Sequence, residues 1–353
     1  MDRRKLETLR RRFGDAQGGE IRDPEFAKVA AKVFTAPDRR KWPFADPATF
    51  LDAPFRPVAS DADLAGLDAA LVGVPMDLGV TNRAGARLGP RAVRGVERIG
   101  PYEHVLKRTP LAELKVADIG DVPMASRFSL ESCHADIEAF FARLASAGVA
   151  PLAVGGDHSV TLPILKALGA GRPVGLIHFD AHCDTSGPYE GAKFHHGAPF
   201  RRAVLDGVLD PERTIQIGIR GGAEYLWEFS YESGMTVLHD EDVQRMGVDA
   251  VIARARKVAG TGPVYVTFDV DGLDPAFAPG TGTPEAGGLT MREALAILRG
   301  LAGLDVIGAD VVEVAPQYDP TTVTAQNAAQ ILFTELCLVA IAREKRGRRR
   351  KRA

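Results

Sequence analysis

Residues 174–184 read Val174-Gly175-Leu176-Ile177-His178-Phe179-Asp180-Ala181-His182-Cys183-Asp184. Val174–Phe179 is a short, mainly apolar run of the kind made by a parallel strand buried on both faces. Beyond it, ionisable side chains alternate with small ones. In extended backbone, residues i, i+2 and i+4 share a face. Asp180, His182 and Asp184 can therefore converge on one point while Ala181 and Cys183 turn away. The stretch reads as a buried strand that ends in side chains able to hold a cation.

The same texture recurs outward from it. Ala69–Val74, Leu152–Val154, Thr214–Ile219, Val264–Phe268 and Val306–Val312 are further strand-like runs. Helical patterns lie between them at Ser129–Ala147, Thr161–Leu168, Pro199–Leu205, Val248–Val258, Met291–Leu301 and Thr321–Arg343, with a capping box at Thr290 and Glu293. Alternation of this kind implies an α/β fold, a single three-layer α/β/α domain around a mostly parallel central sheet. The expected division is an N-terminal arm (1–60), a catalytic domain (61–343) and a basic disordered tail (344–353). The arm is polar and proline-punctuated, with Pro37, Pro43, Pro47, Pro54 and Pro57, and a short amphipathic helix is expected over Lys5–Phe13.

Four of the runs end in ionisable residues. Gly155-Gly156-Asp157-His158-Ser159 follows the second, Asp180 to Asp184 the third, Asp269-Val270-Asp271-Gly272 the run at 264, and Asp310 to Glu313 closes the last. Ligands of open parallel sheets bind at the carboxyl ends of the strands. One Asp there is usually a cap or turn former. Four carboxylates gathered without cations would be prohibitively costly, however. His158, Asp180, His182, Asp184, Asp269 and Asp271 are too many ligands for one small ion and suit two divalent cations. Carboxylate dominance without thiolates favours Mn²⁺, and Ni²⁺ or iron would also fit.

Composition sets few further bounds. The 353 residues are 45% apolar and 25% charged, as in ordinary globular proteins. The net charge of −2 hides a basic end. Residues 343–353 hold eight Lys or Arg and one Glu, so the body is mildly acidic. Cys133, Cys183 and Cys337 form no CxxC pair, which fits a reducing cytoplasm. The charged N-terminus leads into no apolar stretch typical of a secretory signal, and no apolar run near the roughly 18 residues of a spanning helix stands out. The cluster Arg348–Arg352 is of a type that can bind phosphates, but no folded nucleic-acid module accompanies it. Neither a membrane nor a nucleic acid is an expected partner.

Taken together, GGDHS (155–159), DAHCD (180–184), HHG (195–197), DVDGLDP (269–275) and DVVEVAP (310–316) resemble the ureohydrolases, the family of arginases, agmatinases and guanidino-acid hydrolases. The resemblance spans about 65–342. It implies an arginase-like fold, homo-oligomers that are trimers or hexamers, and a binuclear Mn²⁺ centre. It places His158, Asp180, Asp184 and Asp269 on one ion and Asp180, His182, Asp269 and Asp271 on the other, with Asp180 and Asp269 bridging. Glu313 would hold the substrate guanidinium, His196 would bind substrate and shuttle protons, and Asp184 would protonate the leaving nitrogen. The products would be urea and an amine. His195 reads as a flanking surface residue and Cys183 as a packed one.

The substrate is less sharply written. Gly197–Ala203 and Gln216–Gly221 look like the agmatinase and guanidino-acid branch, which implies guanidinobutyrate, guanidinopropionate or agmatine. Thr185–Phe194 is expected to cover the mouth of the site. Lys193 or Arg83 could face a substrate carboxylate, and Glu190 an ammonium. The aromatics Tyr225, Trp227, Phe229 and Tyr231 leave open guanidine or an N-alkylguanidine as an alternative. The arm would pack an oligomer or rim the site. A noncatalytic subunit of a hetero-oligomer is the rival of a different class.

Overall fold

The computed structural model describes residues 2–15, 23–33, 46–97, 99–222 and 224–350. Eight strands pair in parallel throughout: β1 (Ala69–Val74), β2 (Val116–Asp121), β3 (Ala150–Gly155), β4 (Val174–Phe179), β5 (Leu209–Ile219), β6 (Thr236–His239), β7 (Pro263–Asp269) and β8 (Asp305–Val312). Their order across the sheet is β2-β1-β3-β8-β7-β4-β5-β6. Since all run the same way, every carboxyl end lies on one edge. The four strands whose ends carry the ionisable motifs, β3, β8, β7 and β4, are contiguous. The chain leaves β3 and re-enters at β4 three places away, and β8 and β7 later fill the gap. That crossover is the topological switch at which such sheets bind ligands.

Alternation along each strand feeds two apolar layers. Leu71, Leu152, Ile177, Val266 and Val311 face one layer, beneath the helices Gly89–Arg94, Asp240–Met246, Val248–Ala259, Met291–Gly300 and Val323–Arg350. Ala70, Val72, Ala153, Leu176 and Tyr265 face the other, beneath Leu130–Ser146, Thr161–Gly169 and Pro199–Leu205. The result is the expected three-layer α/β/α arrangement.

Four expectations need correcting. Two edge strands, β2 and β6, escaped the apolar pattern. β2 carries Asp118 in its middle, buried and neutralised by Arg94, whose Nε lies 2.8 Å from Oδ2, while β6 spans only four residues. The arm is shorter than 1–60, for the chain divides into units Met1–Trp42 and Pro43–Ala353. Phe50 and Leu51 are buried in the second unit, and Phe50 N and Arg56 N donate to Asp118 at 3.0 and 2.8 Å. In the first unit, Arg3–Phe13 and Pro24–Val33 are helical, the former capped by Asp2. Pro37 and Pro43 lie outside the described residues.

The tail is the third correction. Residues 344–350 continue the Val323–Arg350 helix instead of being disordered. Basic side chains suit a helix C-terminus, and these have partners: Lys345 Nζ donates to Gly303 O (2.7 Å) and Arg346 Nη1 to Asp305 Oδ1 (2.6 Å). Lys351 and Arg352 lie outside the described residues. The fourth concerns apolar runs, because Val323–Arg348 is long and apolar enough by length and composition to cross a membrane. Its most apolar window is 78% buried, as suits a core helix. Ile331, Leu332, Leu336 and Val339 pack into the first layer.

Candidate metal centre

The site is built where the four central strands end. After β3, Gly155 and Gly156 let the chain turn where a side chain could not fit. A first side-chain carbon at Gly156 would lie 1.9 Å from Met76 O. Asp157 then caps the turn. Its Oδ1 accepts from Ser159 N (2.9 Å) and its Oδ2 from Gly79 N (2.7 Å), tying this loop to the one after β1. Burial, and next the nearby Glu313 charge, push its carboxyl up to about 6.

His158 follows, fully buried. Its Nδ1 sits 2.9 Å from Asp184 Oδ2, 3.1 Å from Asp180 Oδ2 and 3.4 Å from Asp269 Oδ2. The second grouping lies on the other oxygen of Asp180. His182 Nδ1 is 3.4 Å from Asp180 Oδ1 and 3.2 Å from Asp271 Oδ2. All six residues singled out in the sequence are thus brought together, and Asp180 splits its two oxygens between the groups. Asp269 joins the first group directly. It reaches the second through Oδ1, which accepts from Asp271 N at 2.8 Å.

These residues fit a pair of divalent cations, and one atom shows why. Thr267 Oγ1 donates to Asp310, so it accepts from His158 Nε2 at 2.9 Å. That fixes the tautomer and leaves the Nδ1 lone pair pointing at three carboxylates. Nδ1 is buried without a hydrogen-bond partner among the described residues. Four acceptors facing one point require a cation between them. The electrostatics agree. Burial, then the charges of Asp271 and Asp180, hold the Asp269 carboxyl well above its ordinary range. Asp271 is raised by burial and by Asp180. The same three carboxylates draw positive charge to that point. Burial opposes charge on His158, yet Asp180, Asp184 and Asp269 outweigh it and raise its pKa well above the usual value, so a proton takes the Nδ1 position wherever a metal ion does not.

His178 is a residue the sequence reading missed. It stands two before Asp180 and shares its face by the same period-two rule. Its Nε2 donates to Asp180 Oδ2 (2.7 Å), and its Nδ1 accepts from Gln216 Nε2 (3.1 Å). His178, His158 and Asp180 place ligand-type atoms within 4.8 Å of one another. With both of its nitrogens engaged, His178 orients Asp180. The Thr267–Asp310 pair was missed too, because neither residue type announces that it steers a histidine. Asp310 is buried and also accepts from Thr161 Oγ1 (2.8 Å) and Tyr265 Oη (3.0 Å).

Glu313 and His196 form the next layer. Glu313 Oε1 accepts from His158 N and lies 2.9 Å from His196 Nδ1. Burial disfavours the imidazolium of His196, but Glu313 outweighs it and raises the pKa to about 9. The ring then donates through Nδ1 to Glu313, while Nε2 lies 2.7 Å from Thr81 Oγ1 and 3.2 Å from Thr81 N. Asp184 and Glu313 both occupy the left-handed backbone region, with φ of 51° and 64°. Non-glycine residues held there cost roughly 1–3 kcal/mol each and gather at functional sites. No sequence pattern signals this.

A cavity of about 420 Å³ opens over the centre. Its wall includes His182, Asp184 and His196 at the inner end and Tyr189, Tyr225 and Trp227 further out. Thr185–Tyr189 contribute, as expected for the covering loop, whereas residues 190–194 do not. His195 is corrected from a surface residue: it is 7% exposed and lines the cavity, its Nε2 donating to Gly187 O (2.9 Å). Cys183 is packed as expected and 3% exposed. Arg83, Lys193 and Glu190 are absent from the wall.

Such a fold and site define a hydrolase working through a carboxylate-rich binuclear centre, and comparison with known proteins gives the family. A model of the arginase family matches residues 67–337. Over 301 residues the chain is 50% identical to guanidinopropionase of Pseudomonas aeruginosa, covering 84% of this chain and 93% of that protein. It is 44% identical over 286 residues to guanidinobutyrase of the same organism, covering 80% and 89%. Proclavaminate amidino hydrolase from Streptomyces clavuligerus superposes with a TM-score of 0.80 at 34% identity, over 85% of this chain and 99% of that one. Arginase from Bacillus caldovelox gives 0.66 at 29%, over 77% and 98%. The chain belongs to the arginase family, within the agmatinase and guanidino-acid hydrolase branch. It is a hydrolase of carbon–nitrogen bonds in linear amidines, with a binuclear divalent-metal site.

Proposed function

We propose that the protein cleaves a small guanidino acid, guanidinopropionate or guanidinobutyrate, to urea and an amine, with agmatine the next candidate. The observation that carries this is Glu313. One of its oxygens is engaged by His158 and His196, while Oε2 is buried with no partner among the described residues. A buried carboxylate oxygen needs a donor, and a planar guanidinium supplies a charge-assisted one. The tail of the substrate is read from the relatives named above, two of which act on guanidino acids by name.

His158, Asp180, Asp184 and Asp269 would hold one ion, and Asp180, His182, Asp269 and Asp271 the other. When bound, such a pair lowers the pKa of water enough to supply a nucleophile near neutral pH. Glu313 orients the guanidinium so that its central carbon faces the site. Asp184, on the cavity wall, passes a proton to the departing nitrogen. His196 carries its proton well past neutrality and can replenish it. Mn²⁺ is favoured by the oxygen and imidazole donors, with Ni²⁺ its competitor. A cytoplasmic trimer or hexamer completes the reading, the location supported by three buried free cysteines and the assembly by the family resemblance. A second reading, guanidine or an N-alkylguanidine as substrate, is favoured by the aromatic wall of Tyr189, Tyr225 and Trp227.

The test is urea release by the purified chain, loaded separately with Mn²⁺ and Ni²⁺. The panel comprises guanidine, guanidinopropionate, guanidinobutyrate, agmatine, arginine and alkylguanidines. The highest kcat/KM is expected for a guanidino acid with Mn²⁺. Preference for guanidine or an alkylguanidine would establish the second reading. Release from none of them would make this chain a noncatalytic subunit.

A further inference from the structure

We propose that Arg201 supplies the positive charge that recognises the substrate's carboxylate, and so determines specificity for guanidino acids. The proposal rests on the guanidino-compound reading above. A carboxylate tail entering a cavity whose inner end is lined by acids needs a cation near its outer end. Most nearby cations are committed elsewhere. Arg220 lines the wall, but its guanidinium donates to backbone carbonyls, among them Asp271 O (2.7 Å), Glu285 O (3.0 Å) and Gly218 O (3.1 Å). Arg83 donates to Thr281 O (2.7 Å) and Gly282 O (3.2 Å) and stacks on Tyr318. Lys193 is exposed, off the wall, with its ammonium 5.0 Å from the Phe194 ring centre.

Arg201 differs. It is half-buried, and among the described residues its guanidinium has no hydrogen bond or ion pair. Its one ring contact is Phe229, 5.1 Å away. The next residue, Arg202, is by contrast paired with Asp206 at 2.7 Å. The place of Arg201 is set by Phe200, which packs against the rings of His178 and His158 at 4.5 and 5.2 Å. There the guanidinium lies against the open face of Gly187. A first side-chain carbon at Gly187 would come 3.4 Å from Arg201 Nη1 and 3.8 Å from Cζ. Gly187 itself lines the cavity beside Ser186 and His195, so Arg201, which is not on the wall, stands directly behind this stretch of it and reaches the substrate space past the glycine. A planar guanidinium with unengaged donors matches a carboxylate bidentately, whereas an ammonium tail would be repelled.

The metal-loaded full chain, as wild type, Arg201→Gln and Arg201→Lys, would be assayed on guanidinopropionate, guanidinobutyrate, agmatine and guanidine. Arg201→Gln should raise KM for the two acids about 10- to 100-fold, in the range of a lost charge-assisted contact. Its kcat should stay within a few-fold, guanidine should be unaffected, and agmatine unchanged or improved. Arg201→Lys should recover part of the loss. Arg201→Met, which keeps the stem over Phe229, carries the same expectation should the glutamine variant not fold. A parallel fall on all four substrates, or no change on any, would overturn the proposal. Wild-type protein that releases no urea from any of them would instead overturn the parent reading.

Discussion

Replacing Thr267 by valine removes one hydroxyl and should weaken one metal ion of the two. In the wild type His158 Nε2 donates to Thr267 Oγ1 at 2.9 Å, which keeps Nδ1 free as a lone pair facing Asp180, Asp184 and Asp269. Valine fills the same volume but accepts nothing. His158 then either buries an unpaired N–H or takes the tautomer with its proton on Nδ1, where the ligand lone pair is needed. Losing such a supporting partner weakens metal binding roughly 10- to 100-fold, about 1.4–2.7 kcal/mol. The fold should suffer less. Asp310 keeps Thr161 Oγ1 (2.8 Å) and Tyr265 Oη (3.0 Å), so a loss of about 1 kcal/mol is expected. Stepwise release to a competing chelator, followed with a metal-sensitive dye, separates the two ions. The first-group ion should leave earlier, the second should be unchanged, and kcat at saturating metal should stay within a few-fold. Two unchanged affinities, or lost turnover at full occupancy, would refute the role assigned to the Thr267–Asp310 pair.

Three further outcomes follow from the same geometry. Gly156→Ala forces a carbon to within 1.9 Å of Met76 O; stability should fall by about 1–3 kcal/mol in a denaturant titration. Activity should drop with it, because Gly156 O also accepts from Glu313 N. Glu313→Gln removes the largest influence that raises His196 to about 9, leaving burial, which lowers it, opposed only by the smaller effects of Asp184 and Asp157; NMR should show the imidazole titrating at lower pH. In the wild type that pair contributes stability fully below roughly 6.5, the unfolded value, and loses it as pH rises through about 9. The variant's Tm should be flat across that window. Deleting residues 344–353 removes the contacts of Lys345 and Arg346 with Gly303 and Asp305. The Tm should fall by an amount equivalent to about 1–2 kcal/mol, with kcat unchanged, since partly exposed pairs contribute up to about 1 kcal/mol each.

The central half of the sheet was readable because β3, β4, β7 and β8 are largely buried on both faces and therefore mainly apolar, with His178, Thr267 and Asp310 the polar exceptions inside them. Their neighbourhood was not. Strand order depends on long-range pairing, which leaves no local trace. At the edges the signal failed for a definite reason: β2 buries Asp118 against Arg94, so a core position looks polar. The metal ligands were legible because ligand-type residues cluster directly after the strands. The period-two rule holds for His178 and Asp180 at the end of β4, whereas beyond Phe179 the chain bends and the left-handed Asp184 is brought in by the loop, not by strand alternation. Thr267 and Asp310 could not be found that way, since their role exists only once β7 and β8 lie side by side beside His158. The selectors Arg83, Lys193 and Glu190 were drawn from loop charges, and loop charges do not reveal which way they point.

The most direct measurement is metal stoichiometry against turnover. Metal-free protein would be titrated with Mn²⁺ while urea release from guanidinopropionate is followed, alongside Asp180→Asn, whose two oxygens face both groups. Wild-type turnover should rise to a plateau at two equivalents per chain, and the variant should show neither tight stoichiometric binding nor turnover. A plateau at one equivalent, or full activity in the Asp180 variant, would contradict a binuclear centre joined through Asp180.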